Sequence, residues 1–265
     1  MSLKLNHPVA FVPTMGALHA GHQSLIEIAK SLENEVVVSI FVNPLQFENP
    51  DDFLNYPKTF ETDIATAESS GATFIWSPTF EEIYPGDPEI VSAGVTGNLF
   101  EGVHRFGHFD GVLTVVKRLF ELVQPKYAVF GEKDFQQLFL IKEMVNKLKL
   151  PISVISAPTI REDSGLAMSS RNSRLSVNDR ASAAGIYSSL IAATAEKEIG
   201  RARQLLIKGI NSIPGFITDY VEIIDEENFE VASEDTVQSR AIVAGWINGV
   251  RLIDNMVMSK EVASK

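Results

Sequence analysis

Val9-Ala10-Phe11-Val12-Pro13-Thr14-Met15-Gly16-Ala17-Leu18-His19-Ala20-Gly21-His22 decides how the first part of this 265-residue chain reads. Val9 to Val12 is a short β-branched, apolar run suited to a buried strand. Leu25, Ile28 (or Ala29) and Leu32 then recur at helical spacing. Between the two lies a stretch with two glycines and two histidines. A strand that turns directly into a helix presents the first, unpaired helical N–H groups to whatever sits in the turn, and these suit an anion. Gly16 and Gly21 permit a tight turn and close approach of the backbone to a ligand. His19 and His22, three residues apart, face one side if the helix has begun. The stretch therefore reads as a phosphate cradle whose imidazoles donate hydrogen bonds to a triphosphate. An isolated His-x-x-His is more often a polar turn carrying two surface histidines; the strand-to-helix setting and the glycines weigh against that. A zinc site lacks an evident third ligand, although His104 and His108 could be brought close.

Working outward, the alternation of strand and helix continues. Glu35 to Val42 (EVVVSIFV) is a continuous apolar run, as expected of a parallel strand covered on both faces. Phe60, Ile64 and Ala67 predict a helix, and Ala72 to Trp76 a strand. Val112, Val115, Val116, Leu119 and Val123 predict a stronger helix. Tyr127 to Phe130 reads as a strand, Leu138, Ile141, Val145 and Leu148 as a helix, and Ile152 to Ile155 as a strand. Such alternation implies an open parallel sheet with helices on both faces, whose right-handed crossovers gather the loops after the strands on one edge. The character changes near Ala157 to Ser164. Asn178 to Glu198 predicts a long Ala-rich helix with Ser176 as cap, and Arg201 to Ile213 a second. Tyr220 to Ile224, Arg240 to Trp246 and Arg251 to Asp254 read as antiparallel strands, with Asn248-Gly249 as a tight turn. The boundaries expected are 1–159 for an α/β domain and 160–265 for a smaller α+β domain.

Composition narrows the function classes. Hydrophobic residues make up 45% and charged residues 22%, ordinary for a soluble globular protein. No apolar run approaches membrane-spanning length, and Met1 to His7 shows no export signal pattern. With no cysteine there is no disulfide framework, thiolate nucleophile or thiolate metal site, and a cytoplasmic setting is expected. A formal charge of −11 argues against a nucleic-acid surface. It leaves room for a local positive pocket, in which a few cations and backbone amides act against an unfavourable overall field.

Three further stretches leave predicted strands at the same edge or lie near the domain boundary. Asn43-Pro44-Leu45-Gln46 follows the second strand; alone it is a common Pro turn. Gly131-Glu132-Lys133-Asp134-Phe135-Gln136-Gln137 follows the fourth, with Lys133 a point charge for phosphate, Asp134 a candidate helix cap and Gln137 one turn on. Arg161 to Asn172 includes Met168-Ser169-Ser170-Arg171, whose hydroxyls and guanidinium suit phosphate and whose place at the domain junction suits a closing loop. Glu101 to Phe109 adds His104, Arg105 and His108 in a glycine-containing loop; spacing alone leaves it a surface loop.

Taken in order, residues 13–22, 38–47, 131–137 and 165–172 resemble the signature segments of the pantothenate synthetase (pantoate–β-alanine ligase) family, and the resemblance runs from about Val9 to the C-terminus. His19-Ala20-Gly21-His22 is similar to the His-Ile-Gly-His signature of nucleotidyltransferases, and Met168 to Arg171 looks like a relative of their Lys-Met-Ser-Lys-Ser loop. The resemblance implies a Rossmann-like sheet of the nucleotidyltransferase type with a C-terminal lid domain, and an acyl-adenylate reaction. Pantoate and ATP would give pantoyl adenylate and pyrophosphate, and β-alanine would then give pantothenate and AMP. It implies Mg²⁺ and a homodimer as well. Carried over by position, Met15, Gly16, Ala17, Leu18, His19, Ala20, Gly21 and His22 would line the ATP site. His19 and His22 would meet the phosphates, with His22 as proton donor. Gly131, Glu132, Lys133, Asp134, Ile160, Met168, Ser169, Ser170 and Arg171 would complete it. Gln46 and Gln137 would hold pantoate, Gln46 would adjoin β-alanine, and Asp63 would neighbour Mg²⁺. The family carries a longer segment ahead of its first strand than Met1 to Pro8. Two other readings share the cradle: a nucleotidyltransferase acting on a phosphorylated small molecule, and an ATP-binding sensor without catalysis.

Overall fold

The computed structural model describes residues 5–48 and 53–258; the Met1–His7 stretch read for an export signal lies partly outside them. The chain divides into two compact units, one ending at Ile160 and the other beginning at Arg161.

In the first unit five strands form one parallel sheet: β1 (Val9–Thr14), β2 (Glu35–Ile40), β3 (Phe74–Trp76), β4 (Tyr127–Gly131) and β5 (Ser153–Ala157), in the order β3-β2-β1-β4-β5. Alternation on the central strands explains the two helical layers. Val9 and Phe11 of β1, Val37 of β2 and Ala128 and Phe130 of β4 join one apolar cluster with α5 (His108–Val123) and α6 (Phe135–Lys147). Ala10, Val12, Val36, Val38 and Val129 point the other way, onto Ile26 and Ala29 of α1 (Ala20–Leu32) and Ala67 of α2 (Phe60–Ser69). Strands buried on both faces have no polar face, which is why Glu35 to Ile40 reads as an unbroken apolar run. The strand order reverses between β1 and β4, so the chain parts there and leaves a crevice at their carboxyl ends. Short helices α3 (Phe80–Ile83) and α4 (Glu101–His104) lie in the connection from β3 to α5.

The second unit packs α7 (Val177–Thr194) and α8 (Ile199–Asn211) with an antiparallel sheet of β6 (Ile217–Asp225), β7 (Ser239–Ile247) and β8 (Val250–Met258), around Leu190, Leu206, Ile210, Ile223 and Val243. The β7–β8 turn uses Asn248 and Gly249, both left-handed (φ 45° and 74°), as a tight two-residue hairpin requires. Ser176 caps α7, its Oγ accepting the Asp179 N–H at 3.2 Å. That helix stops at Thr194, short of the Glu198 the composition suggests.

Two local expectations are corrected. Phe60, expected to face the core, is 48% exposed, and α2 instead buries Asp63 and Ala67, with Ser70 buried at its C-cap. The buried stripe thus begins on a carboxylate, for a reason given below. The Glu101–Phe109 stretch is not a plain surface loop: Glu101, Gly102, His108 and Phe109 are buried. Gly102 packs against the Gly97 carbonyl so closely that a Cβ would fall 1.8 Å from its oxygen.

Candidate active site

At the crevice, β1 ends in a loop that the chain can make only with help. Gly16 (φ 84°) and Ala17 (φ 52°) are both left-handed; the second is strained, because a Cβ disfavours that region by about 1 kcal/mol. Asp63 supplies the help. Its Oδ2 accepts the Ala17 N–H at 3.0 Å and its Oδ1 the Leu18 N–H at 2.7 Å. Thr59 Oγ1 donates to both oxygens at 3.1 Å. Gly16 makes the approach possible, since a Cβ there would stand 2.9 Å from Asp63 Oδ2. Asp63, expected beside Mg²⁺, thus holds the loop through both of its oxygens. Its signal in the sequence was an acid four residues ahead of the buried Ala67 of α2.

The loop delivers His19 and His22 to the start of α1. His19 is the N-cap, and its Nδ1 accepts the Gly21 N–H at 3.1 Å. His22 Nδ1 accepts the His19 N–H at 3.3 Å. The pair forms a reciprocal cap of the kind usually made by Ser or Thr with Glu or Gln, and the rings lie 4.2 Å apart. Because both Nδ1 atoms accept, the proton of each neutral ring sits on Nε2. Burial, and then the repulsion of Lys133, lowers the His19 pKa. Burial, and then His19, pulls His22 down to about 3. At neutral pH the site therefore holds two uncharged Nε2–H donors, held in place by the helix backbone.

On the other side of the switch point, β4 ends at Gly131 and a 3-10 turn, Glu132–Asp134, carries Lys133 before α6 begins. Lys133 Nζ lies 3.6 Å from Asp134, and both act electrostatically on His19 and His22. The structure thus brings the Met15–His22 and Gly131–Asp134 stretches together. Asp134 stands at the N-cap position of α6, but its side chain makes no cap bond there, so the expected capping role is not the one it plays. Gln136 and Gln137 have diverged in use. Gln136 is buried and occupied: its Oε1 accepts the Glu101 N–H, and its Nε2 donates to the Thr96 and Leu99 carbonyls. Gln137 is half-buried on the first turn of α6, and its carboxamide makes no hydrogen bond among the described residues.

After β2, Asn43 caps the Pro44–Gln46 3-10 turn, accepting the Leu45 N–H at 3.3 Å. Asn43 Oδ1 also accepts from Tyr84 Oη at 3.3 Å, and its Nδ2 donates to the Gly111 carbonyl at 3.0 Å. Gln46 is buried, with its Nε2 on Met15 Sδ at 3.0 Å. Asn43 and Gln46 thus sit beside the loop of β1. Ile160 lies three residues beyond β5, whose carboxyl end is on the same edge of the sheet.

Met168, Ser169, Ser170 and Arg171 belong to the second unit. There Arg161 to Ala167 forms a narrow hairpin, with Arg161 bridged to Ala167 and the Glu162 N–H donating to the Leu166 carbonyl at 2.9 Å. Arg161 is held bidentately by Asp254, at 2.6 and 3.0 Å. Ser169 Oγ then accepts the Arg171 N–H at 3.3 Å and opens a 3-10 turn, Ser170–Arg174. Buried Asn172 ties that turn down, donating to Glu162 at 2.9 Å and to the Ala167 carbonyl at 3.0 Å, while Arg180 holds Glu162 and the Asn172 carbonyl. Spacing gave no sign of Glu162, Asn172 or Arg180, because the partners meet across 8 to 18 residues.

Among the described residues no helix is long and apolar enough to cross a membrane, and no group of three His, Cys, Asp or Glu side chains gathers for a metal. A sequence model of the pantoate–β-alanine ligase family matches residues 2–257. The pantothenate synthetase of Acidothermus cellulolyticus is 47% identical over 264 residues, covering 97% of this chain and 87% of that one. The crystal structure of pantothenate synthetase from Thermus thermophilus superposes with a TM-score of 0.93 at 41% identity, covering 97% of this chain and 96% of that one. The pantoate–β-alanine ligase of Francisella tularensis, solved with β,γ ATP and β-alanine, gives a TM-score of 0.79 at 36% identity, covering 95% and 90%. With a match along nearly its whole length and a switch-point edge of the corresponding fold, the chain belongs to the pantoate–β-alanine ligase family.

Proposed function

We propose that this edge condenses pantoate with β-alanine at the expense of ATP, through pantoyl adenylate. The observation that carries the reading is the pair of neutral Nε2–H donors on the first turn of α1, facing Lys133 across the switch point. Nucleotide phosphates fit there: helix N–H groups, two imidazoles and one ammonium converge, although the chain as a whole carries −11. The solved relative with β,γ ATP and β-alanine supports the same pairing of ligands.

In this reading Met15 to His22, Gly131 to Asp134 and Ile160 bind ATP. A pantoate carboxylate oxygen attacks the α-phosphorus, the bond from that phosphorus to the α,β-bridging oxygen breaks, and pyrophosphate leaves. The substrate is its own nucleophile, so no Ser or Cys is needed. His19, His22 and Lys133 stabilise the charge that builds on the phosphates. His22 serves as a hydrogen-bond donor; with its Nδ1 engaged by the helix backbone, it holds only the Nε2 proton. Gln46 and Gln137 orient pantoate through neutral amides, which do not blunt the carboxylate as a cation would. The β-alanine amine, next to Gln46, then attacks the acyl carbon, loses a proton and expels AMP. Mg²⁺ enters as part of the nucleotide substrate, MgATP. A homodimer and a cytoplasmic setting belong to the same reading.

A coupled AMP-release assay is expected to show turnover only with pantoate, ATP and β-alanine together, and pantoate-dependent pyrophosphate exchange without β-alanine. ATP binding with no AMP formed would leave the sensor reading, and exchange driven by a phosphorylated alcohol would leave the nucleotidyltransferase one. Gln137→Ala should raise the KM for pantoate by about tenfold, the worth of one or two buried hydrogen bonds, with the KM for ATP little changed. An unchanged pantoate dependence would remove Gln137 from the site.

A further inference from the structure

The proposed reaction makes no use of His108, yet three contacts join the first turn of α5 to the turn that carries Gln46. His108 Nδ1 lies 2.8 Å from the Gln46 carbonyl oxygen. Asn43 Nδ2 donates to the Gly111 carbonyl at 3.0 Å. Gly111 itself leaves no gap, since a Cβ there would fall 2.2 Å from the Leu45 carbonyl oxygen. The turn needs such support. It is three residues long, and two of its bonds are slack: Gln46 N–H to the Asn43 carbonyl, and Asn43 Nδ2 to Gln46 Oε1, each at 3.4 Å.

A carbonyl oxygen only accepts, so His108 must donate from Nδ1. The ring is buried, and burial first, then Arg105, brings its pKa down to about 3. It is therefore a neutral Nδ1–H tautomer, the opposite of His19 and His22. Asp134 acts on all three rings, which places His108 at the same edge of the sheet.

We propose that His108 is a positioning residue for amide-bond formation, its Nδ1–H holding the main chain of Gln46 so that the Gln46 carboxamide is aimed at pantoate and β-alanine. The inference rests on the assignment of Gln46 to those substrates. Misplacing such a group by about 1 Å can cost up to ~10²-fold in rate, so a single main-chain anchor behind it matters.

The test compares His108→Asn, whose amide N–H falls near the Nδ1 position, with His108→Gln, which reaches toward Nε2, and uses Gln46→Ala as reference, all in the full chain. His108→Gln is expected to lower kcat/KM for pantoate and β-alanine about tenfold, with the KM for ATP within about twofold of the unsubstituted protein. His108→Asn should recover most of that loss. Equal effects of the two variants, spread over all three substrates, would mean that the ring only fills space and would overturn the proposal. If Gln46→Ala leaves pantoate and β-alanine dependence intact, the assignment of Gln46 fails and the positioning role with it. If Gln46→Ala is impaired while the two His108 variants behave alike, the His108 inference alone fails. Should neither His108 variant fold, nitrogen-15 NMR of the unsubstituted protein reads the ring directly: a proton on Nδ1 supports the anchor, and a bare Nδ1 overturns it.

Discussion

His22→Ala is expected to lower pantoate-dependent pyrophosphate exchange by at least about 10²-fold, the usual cost of removing one donor from a transition-state charge. The same ring also caps α1 by accepting the His19 N–H at 3.3 Å, so two losses are combined in the alanine variant. They separate by choice of substitution. Glutamine is a standard residue at the third helical position of a capping box, so His22→Gln should restore the cap and most of the roughly 1 kcal/mol of stability that a lost cap costs. It should leave exchange near the level of His22→Ala. If His22→Gln regains near-normal exchange, the imidazole was needed only as a cap.

The second large effect is at Asp63, which holds the loop ahead of His19. Asp63→Ala strips the acceptor from the Ala17 and Leu18 N–H groups and from the Thr59 hydroxyl. Hydrogen bonds to a charged acceptor are worth about 1.5–3 kcal/mol each, and a buried donor left unpaired has its own penalty. A loss of stability on the order of 3 kcal/mol is expected, which is roughly 10 °C in melting temperature for a unit of this size. The strain at Ala17 would then be free to relax, and the KM for ATP should rise at least about tenfold because the loop no longer presents His19 and His22 together. Asp63→Asn separates a clamp from a metal ligand. Its amide would set an N–H donor against the Ala17 or Leu18 N–H, and excess Mg²⁺ should give no rescue. Recovery of activity with rising Mg²⁺, or an unchanged melting temperature for Asp63→Ala, would contradict the clamp.

These two residues show what local pattern can and cannot carry. His19 and His22 were legible because their setting is local: a β-branched run, two glycines and a helical stripe within about twenty residues. The sheet was legible for the same reason, since each strand buried on both faces marks itself with an unbroken apolar run, as Glu35 to Ile40 does. Asp63 was seen, but its hold on the loop was not legible, because its partners lie 45 and 46 residues away. A lone acid on a helix looks the same whether it faces a metal or a backbone turn. Phe60 misled in a complementary way, standing at an apolar position of the stripe while the carboxylate three residues on took the buried face. The partner of His108 was hidden by the same distance, because Gln46 lies 62 residues away on a turn whose course the pattern leaves open.

The reciprocal histidine cap has a consequence for how the site meets the charge of a nucleoside triphosphate. A ring whose Nδ1 already accepts a main-chain N–H cannot take up a second proton without giving up the helix start. The cradle therefore takes up no proton as the nucleotide arrives. Its answer to the incoming charge is dipolar: fixed N–H vectors with one ammonium beside them, present before ATP binds.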